Sequence, residues 1–312
     1  MIPEIPLLLG GLMMFLYSIR KLSEVLEGIF EEKTKKVIAT YTSNLFYAIS
    51  LGGIITVLMG SSSAVIIITI VFINAKTLNF RQAIGIIMGA NIGTTISSQI
   101  IALDVSQYAC ILLMVGMLLM FFAKRAKHQQ FGSSLLYFGM LFFGLFLMEE
   151  SMSPLRDDQF FLDWITKLEN PVRGAMAGAL ITLIIQSSSA TVGLVITLGK
   201  QNLISLAGGI AVMLGAELGT CSDTLLATIK GTRQSIKAGL FHLLFNLITI
   251  FLGLLFFNPF VDFIDEISIG SLSSTIANAH LIFNLLGVLL FIPLVRITEK
   301  ALNKLLPDRV SA

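Results

Sequence analysis

Residues 182–191 read TLIIQSSSAT and residues 56–65 read TVLMGSSSAV, so two serine triplets stand in stretches that are otherwise apolar. Hydroxyls in such places suit one kind of chemistry. If the helix breaks at the triplet, the segment that follows presents free N–H groups and the positive end of its dipole, which favours an anion. The hydroxyls of Ser61, Ser62, Ser63, Ser187, Ser188 and Ser189 would then complete a shell around a small tetrahedral oxyanion. Backbone carbonyls, serine oxygens and the Gln186 amide oxygen suit a hard cation such as Na+ on the other side of the break. The plainer alternative is that each serine bonds its own i−4 carbonyl or lets a neighbouring helix approach. That alternative serves for one triplet, but two triplets, each before a short segment, favour the site.

A second motif pair lies downstream, GANIGTT at 89–95 and GAELGTC at 215–221. Its glycines and alanines suit tight helix packing, whereas polar side chains at membrane depth are costly and are site candidates by default. Thr94 and Thr220 therefore join the serines as candidate anion ligands. Asn91, Thr95, Glu217 and Asp223 join Gln186 as candidate cation ligands, with sodium the expected metal. His242 and His280 lack an evident carboxylate to orient them, and no nucleophile-elbow context surrounds the serines, which argues against an intramembrane hydrolase. Cys110 and Cys221 sit in apolar surroundings without metal-ligand spacing. No cofactor is expected.

The elements that must position these residues are membrane helices. The chain is 55% hydrophobic and 13% charged, where a soluble domain carries about 25% charged residues. The stretches 82–103, 107–123, 132–148, 206–229, 238–257 and 277–295 approach or exceed the roughly 20 residues that cross a bilayer. The N-terminus lacks the basic region and cleavage site of a signal peptide and is read as the start of the first helix. A net charge of +2 gives no reason to expect a nucleic-acid partner.

Sliding the chain on itself by 126 residues aligns 50–98 with 176–224 without a gap, and 13 of the 49 positions are identical, clustered in the two motif pairs. The sequence is internally duplicated. Its segments are 1–128 as a first repeat, 129–257 as a second, and 258–312 as an outer loop, a last helix and a cytoplasmic tail. That last helix carries an echo, because AGLFHLLFN (238–246) and ANAHLIFN (277–284) share His-x-x-Phe-Asn. Basic loops at 31–37, 124–128, 230–237 and after Arg296 are placed in the cytoplasm, and the basic-poor loops 104–106, 157–170 and 258–274 outside. Equivalent loops then fall on opposite sides, as inverted-topology repeats require. The expected fold is an all-α integral membrane protein of two inverted repeats, each with a re-entrant helical hairpin carrying a serine motif, plus a final C-terminal helix. Seven full spans leave the N-terminus outside and the C-terminus in the cytoplasm of a plasma-membrane protein, which can be a homo-oligomer. Arg20, Arg81, Arg156, Arg173 and Arg233 sit near loops and are read as interface anchors.

QSSSAT, its degenerate partner GSSSAV, GANIGTT and HLLFN together resemble the sodium-dependent phosphate cotransporter family, the bacterial relatives of the animal type II sodium-phosphate cotransporters. The resemblance runs from about residue 7 to 296. It implies an electrochemically driven carrier of inorganic phosphate, with sodium as coupling ion and the serine motifs as the substrate and sodium sites. Gln186 and Ser187–Ser189 fall on the family's QSSS, Ser61–Ser63 on its repeat-one copy, and Asn91, Thr94 and Thr95 on its GxNxGTT. Two positions depart: Gly60 stands where the family usually has Gln, and Glu217 where Asn is usual, so cation number and a choice between sodium and proton stay open. Some bacterial relatives carry a soluble PhoU-like domain after the membrane part; none is expected in a chain that stops at Ala312. A phosphate exporter, a carrier of another small anion and a passive anion channel remain alternatives.

Overall fold

The computed structural model describes residues 4–42, 44–103, 108–152, 158–229 and 231–307, with backbone alone at 4–5 and 26–41. The elements are α1 (Glu4–Tyr41), α2 (Leu45–Met59), α3 (Ser62–Asn74), α4 (Phe80–Ala102), α5 (Ala109–Phe122), α6 (Ala126–Met152) and α7 (Gln159–Thr166). After a short 3-10 turn come α8 (Pro171–Ile185), α9 (Ser188–Lys200), α10 (Leu206–Gly219), α11 (Cys221–Ala227), α12 (Arg233–Leu255), α13 (Phe257–Ile267) and α14 (Leu272–Leu305). Every element among the described residues is helical. Among the described residues five stretches are long and apolar enough to cross a bilayer, and a sixth arises if the segments 159–169 and 171–185, bent by 105°, count as one span. This is a multi-pass membrane protein.

Several expectations from the sequence change. Residues 31–37, expected as a loop, continue α1, because Glu and Lys are good helix formers and nothing in the run breaks the helix. The expected loops 157–170 and 258–274 contain α7 and α13. α5 has only 14 residues, about 21 Å of rise against about 30 Å of hydrocarbon. α1 is long enough, but its apolar half runs into Arg20, Lys21 and Glu24. The turn 104–106 and Arg156 lie outside the described residues.

The packing recurs at the same 126-residue offset as the sequence. α2 lies along α4, and α8 along α10. A Cβ at Gly89 would stand 1.9 Å from the Ile49 carbonyl oxygen, and one at Gly215 would stand 1.8 Å from that of Ala175. Both glycines let two backbones touch, which no other residue allows. The last long helix, α14, packs against α4, α9, α10 and α12, with Phe241, Phe245 and Phe291 stacked edge to face where it meets α12. Large apolar side chains such as Phe46, Ile54, Met176, Leu180 and Ile184 stay exposed on the outside, where lipid tails rather than water receive them.

One paired position is broken. In the second half the hydroxyl of Thr182 donates to that of Thr191 at 2.7 Å. In the first half Thr56 keeps the hydroxyl but Val65 replaces the partner, and the buried Thr56 oxygen has no hydrogen-bond partner among the described residues. An orphaned buried hydroxyl costs about 1–3 kcal/mol. Thr56→Val keeps the shape and should raise the thermal midpoint in detergent, whereas an unchanged or lower midpoint would show that the hydroxyl has a partner after all.

Candidate functional site

The two serine triplets stand at helix breaks of the same construction. α2 begins on Asn44, whose side chain accepts from the Phe46 N–H, and ends at Gly60 with φ +67°. α3 then starts from Ser61, whose Oγ accepts from the Ala64 N–H at 3.2 Å. In the second half Asn170 and Pro171 open α8, Gln186 ends it with φ +59°, and Ser187 caps α9 by accepting from the Ala190 N–H at 3.2 Å. A left-handed Gly is free of strain, but a left-handed Gln costs about 1–2 kcal/mol. Gln186 is therefore held against its preference at the cavity.

Both breaks line one cavity of about 750 Å3, formed by Gly60–Ser63, Ile185–Ser189, Thr220 and one side of α1. The first-turn N–H groups of α3 and α9, which have no carbonyl of their own helix to bond, are thus carried to its wall. Ser62, Ser188 and Ser189 are buried against it, and Gln186 is exposed into it. Among the described residues, no protein group hydrogen-bonds the hydroxyls of Ser62, Ser188 and Ser189 or the Gln186 amide. The cavity thus combines free donors and acceptors with two helix N-termini.

The other candidates divide. Thr220 lines the cavity, although its hydroxyl donates to Ala216 O at 3.2 Å. Asp223 touches the site indirectly: Ser63 Oγ donates to its Oδ2 at 3.3 Å and Ser222 Oγ to its Oδ1 at 3.4 Å, which ties α11 to the start of α3. Asn91, Thr94, Thr95 and Glu217 do not line this cavity. Thr94 and Thr95 donate back to Ala90 O and Ile92 O of their own helix, the ordinary behaviour of a threonine in an apolar helix.

Asn91 and Glu217, which match at the 126-residue offset, take part in a separate buried network. Asn91 Nδ2 donates to Asn246 Oδ1 at 2.8 Å, and Asn246 Nδ2 donates to Glu217 O at 2.9 Å. His280 Nε2 lies 2.7 Å from Glu217 Oε1, and its Nδ1 lies 2.7 Å from Ser98 Oγ. The expectation that neither histidine has a carboxylate partner is thus wrong for His280. The partner is 63 residues away on another helix, and no local motif announces it. The row Ser98–His280–Glu217 resembles a hydrolytic triad in order, but Ser98 and His280 are fully buried and Glu217 is 4% exposed, while a nucleophile must reach its substrate. His242 instead meets Thr224 Oγ1 at 2.9 Å. Asn246 from α12 and His280 from α14 each tie α4 to α10, so the echoed His-x-x-Phe-Asn motifs serve as cross-ties.

Sequence reasoning missed α1. Tyr17, Arg20, Ser23 and Glu24 line the cavity, and Arg20, expected only as an interface anchor, donates from Nε to Glu24 Oε1 at 3.3 Å with its side chain 81% exposed. Such an exposed pair is worth about 0–1 kcal/mol, so Arg20 is easily released. The signal available in the sequence was one Arg and one Glu a helical turn apart next to Ser23.

The sequence profile of a family described as Na+/Pi-cotransporter matches residues 14–150 and 157–291. Among named relatives, the uncharacterized protein YqeW of Bacillus subtilis is 28% identical over 96% of this chain and 97% of its own length. The "Putative inorganic phosphate export protein YjbB" of Salmonella typhimurium is 24% identical over 90% of this chain, which spans about half (52%) of that protein. Human sodium-dependent phosphate transport protein 2B is 36% identical over 31% of this chain and 14% of its own length. No solved structure matches the chain.

Proposed function

Because the chain belongs to the Na+/Pi-cotransporter family, we propose that it carries inorganic phosphate across the membrane in which it sits, coupled to the sodium gradient. The observation that carries this reading is the cavity onto which the N-termini of α3 and α9 both open, lined by the hydroxyls of Ser62, Ser188 and Ser189 and the Gln186 amide, which have no protein partner among the described residues. A phosphate dianion taken from water needs compensation. Two helix N-termini, three unpartnered hydroxyls and Arg20 at the cavity edge provide it, and a co-bound Na+ on serine and Gln186 oxygens offsets the remaining charge.

In this account the two halves are inverted repeats and the breaks lie at membrane depth, so that rocking one half against the other exposes the cavity alternately to each side. The common 126-residue offset of Gly60 and Gln186, and of Ser61 and Ser187, supports it. Export is a second reading, favoured by the name of the Salmonella relative, which is similar over most of this chain. Direction then follows from the gradients rather than from the site.

The test is equilibrium binding of labelled phosphate to the purified protein in Na+ and in K+. Binding should be tighter in Na+, and Gln186→Ala should narrow that difference. Equal binding in both salts for the unaltered protein would remove sodium from the account.

A further inference from the structure

Beside the anion cavity lies a second, half-open one of about 320 Å3, walled chiefly by Leu22, Val57, Ile100, Phe131, Leu135 and Phe138, of which Val57 and Phe131 are also exposed on the outer surface. The two cavities share Ile19, Ser23, Gly60 and Ser189. Their seam is narrow in chemistry: Ser23 Oγ reaches Gly60 O at 3.5 Å, a long contact at the limit of a hydrogen bond. At the equivalent break in the other half, the left-handed residue is Gln186, which brings a side chain to the turn. Gly60 brings none, and the turn of the first half borders both the anion cavity and the apolar space.

We infer that this apolar space is an annex of the anion site, and that the site takes phosphonates carrying an alkyl or aryl group, with the oxyanion at the serines and the substituent in the annex. The inference rests on the reading that the serine cavity holds phosphate. Size agrees, since an apolar cavity of about 150 Å3 already holds a benzene ring. Polarity agrees too, because the annex has a few hydroxyls only, among them Ser97, Ser134 and Ser189, and of these Ser134 is bonded back to Gln130 O at 3.0 Å. A phenyl group there leaves water without stranding a charge. The phosphonate oxygens keep the contacts that phosphate would make.

The experiment is competition against labelled phosphate, in uptake by liposomes and in binding to the purified protein, using phenylphosphonate and methylphosphonate. Phenylphosphonate should compete at a concentration at least tenfold lower. Leu135→Trp, which fills the annex from α6 and lies outside the anion cavity, should abolish that advantage while leaving methylphosphonate competition as it was. Gly60→Gln, a residue that the matching turn accepts in the same backbone conformation, should reduce the advantage as well. Equal competition by the two phosphonates, with phosphate still bound, overturns the annex and leaves the phosphate reading intact. A phospholipid retained in the annex on mass spectrometry, together with no phenyl advantage, assigns the space to an acyl chain and overturns it likewise. If neither phosphate nor either phosphonate binds, both readings fall.

Discussion

Replacing His280 with alanine is expected to lower the stability of the folded protein by about 3 kcal/mol. The substitution strands the Glu217 carboxyl and the Ser98 hydroxyl in the buried interior, where each has His280 as its close partner. Removing one side of a buried, hydrogen-bonded pair costs more than the pair contributes. Adding Glu217→Gln to His280→Ala should recover part of the loss, because a stranded amide is cheaper to bury than a stranded carboxyl. Thermal unfolding in detergent reads both variants. A single variant as stable as the parent would mean that water or another group replaces the histidine, and the cross-tie between α4 and α10 would lose its standing.

The second large effect is functional. Ser62→Ala and Ser188→Ala remove hydroxyls that line the cavity and have no protein partner among the described residues. A hydrogen bond to a charged group is worth about 1.5–3 kcal/mol, so each variant should raise half-saturation by phosphate about ten- to a hundredfold. The double variant should approach loss of measurable uptake. Folding should be little affected, in contrast to Ser61→Ala and Ser187→Ala, which remove helix caps worth about 0.5–2 kcal/mol each. Uptake that survives the double variant unchanged would move the anion away from the serine turns.

The legible parts of this molecule were those encoded locally. Apolar length announced membrane helices, and the breaks at Gly60 and Gln186 followed from a serine triplet beginning each short helix. What could not be read depends on distance. Nothing near His280 points to Glu217 or Ser98, because those partners arrive on other helices. Asn91 and Glu217 were assigned to the ion site by the motif they belong to, yet α4 and α10 turn them toward α12 and α14 rather than toward the serine cavity. Arg20 looked like an interfacial anchor because it follows an apolar run, and only the packing of α1 over the two turns brings it to the cavity edge. The orphaned Thr56 was visible in principle, since the duplication pairs Thr182 with Thr191 but Thr56 with Val65. Seeing it required knowing that those positions touch.

The central claim is that the cavity between the two serine turns couples phosphate to sodium. Its most direct test is accumulation of labelled phosphate by liposomes carrying the purified protein, with an inward Na+ gradient compared with an equal K+ gradient at two pH values. The account predicts accumulation above equilibrium with Na+ only, and its loss in the Ser62→Ala, Ser188→Ala double variant. Phosphate that merely equilibrates, at the same rate in Na+ and K+, would contradict it and leave a passive path through the same fold.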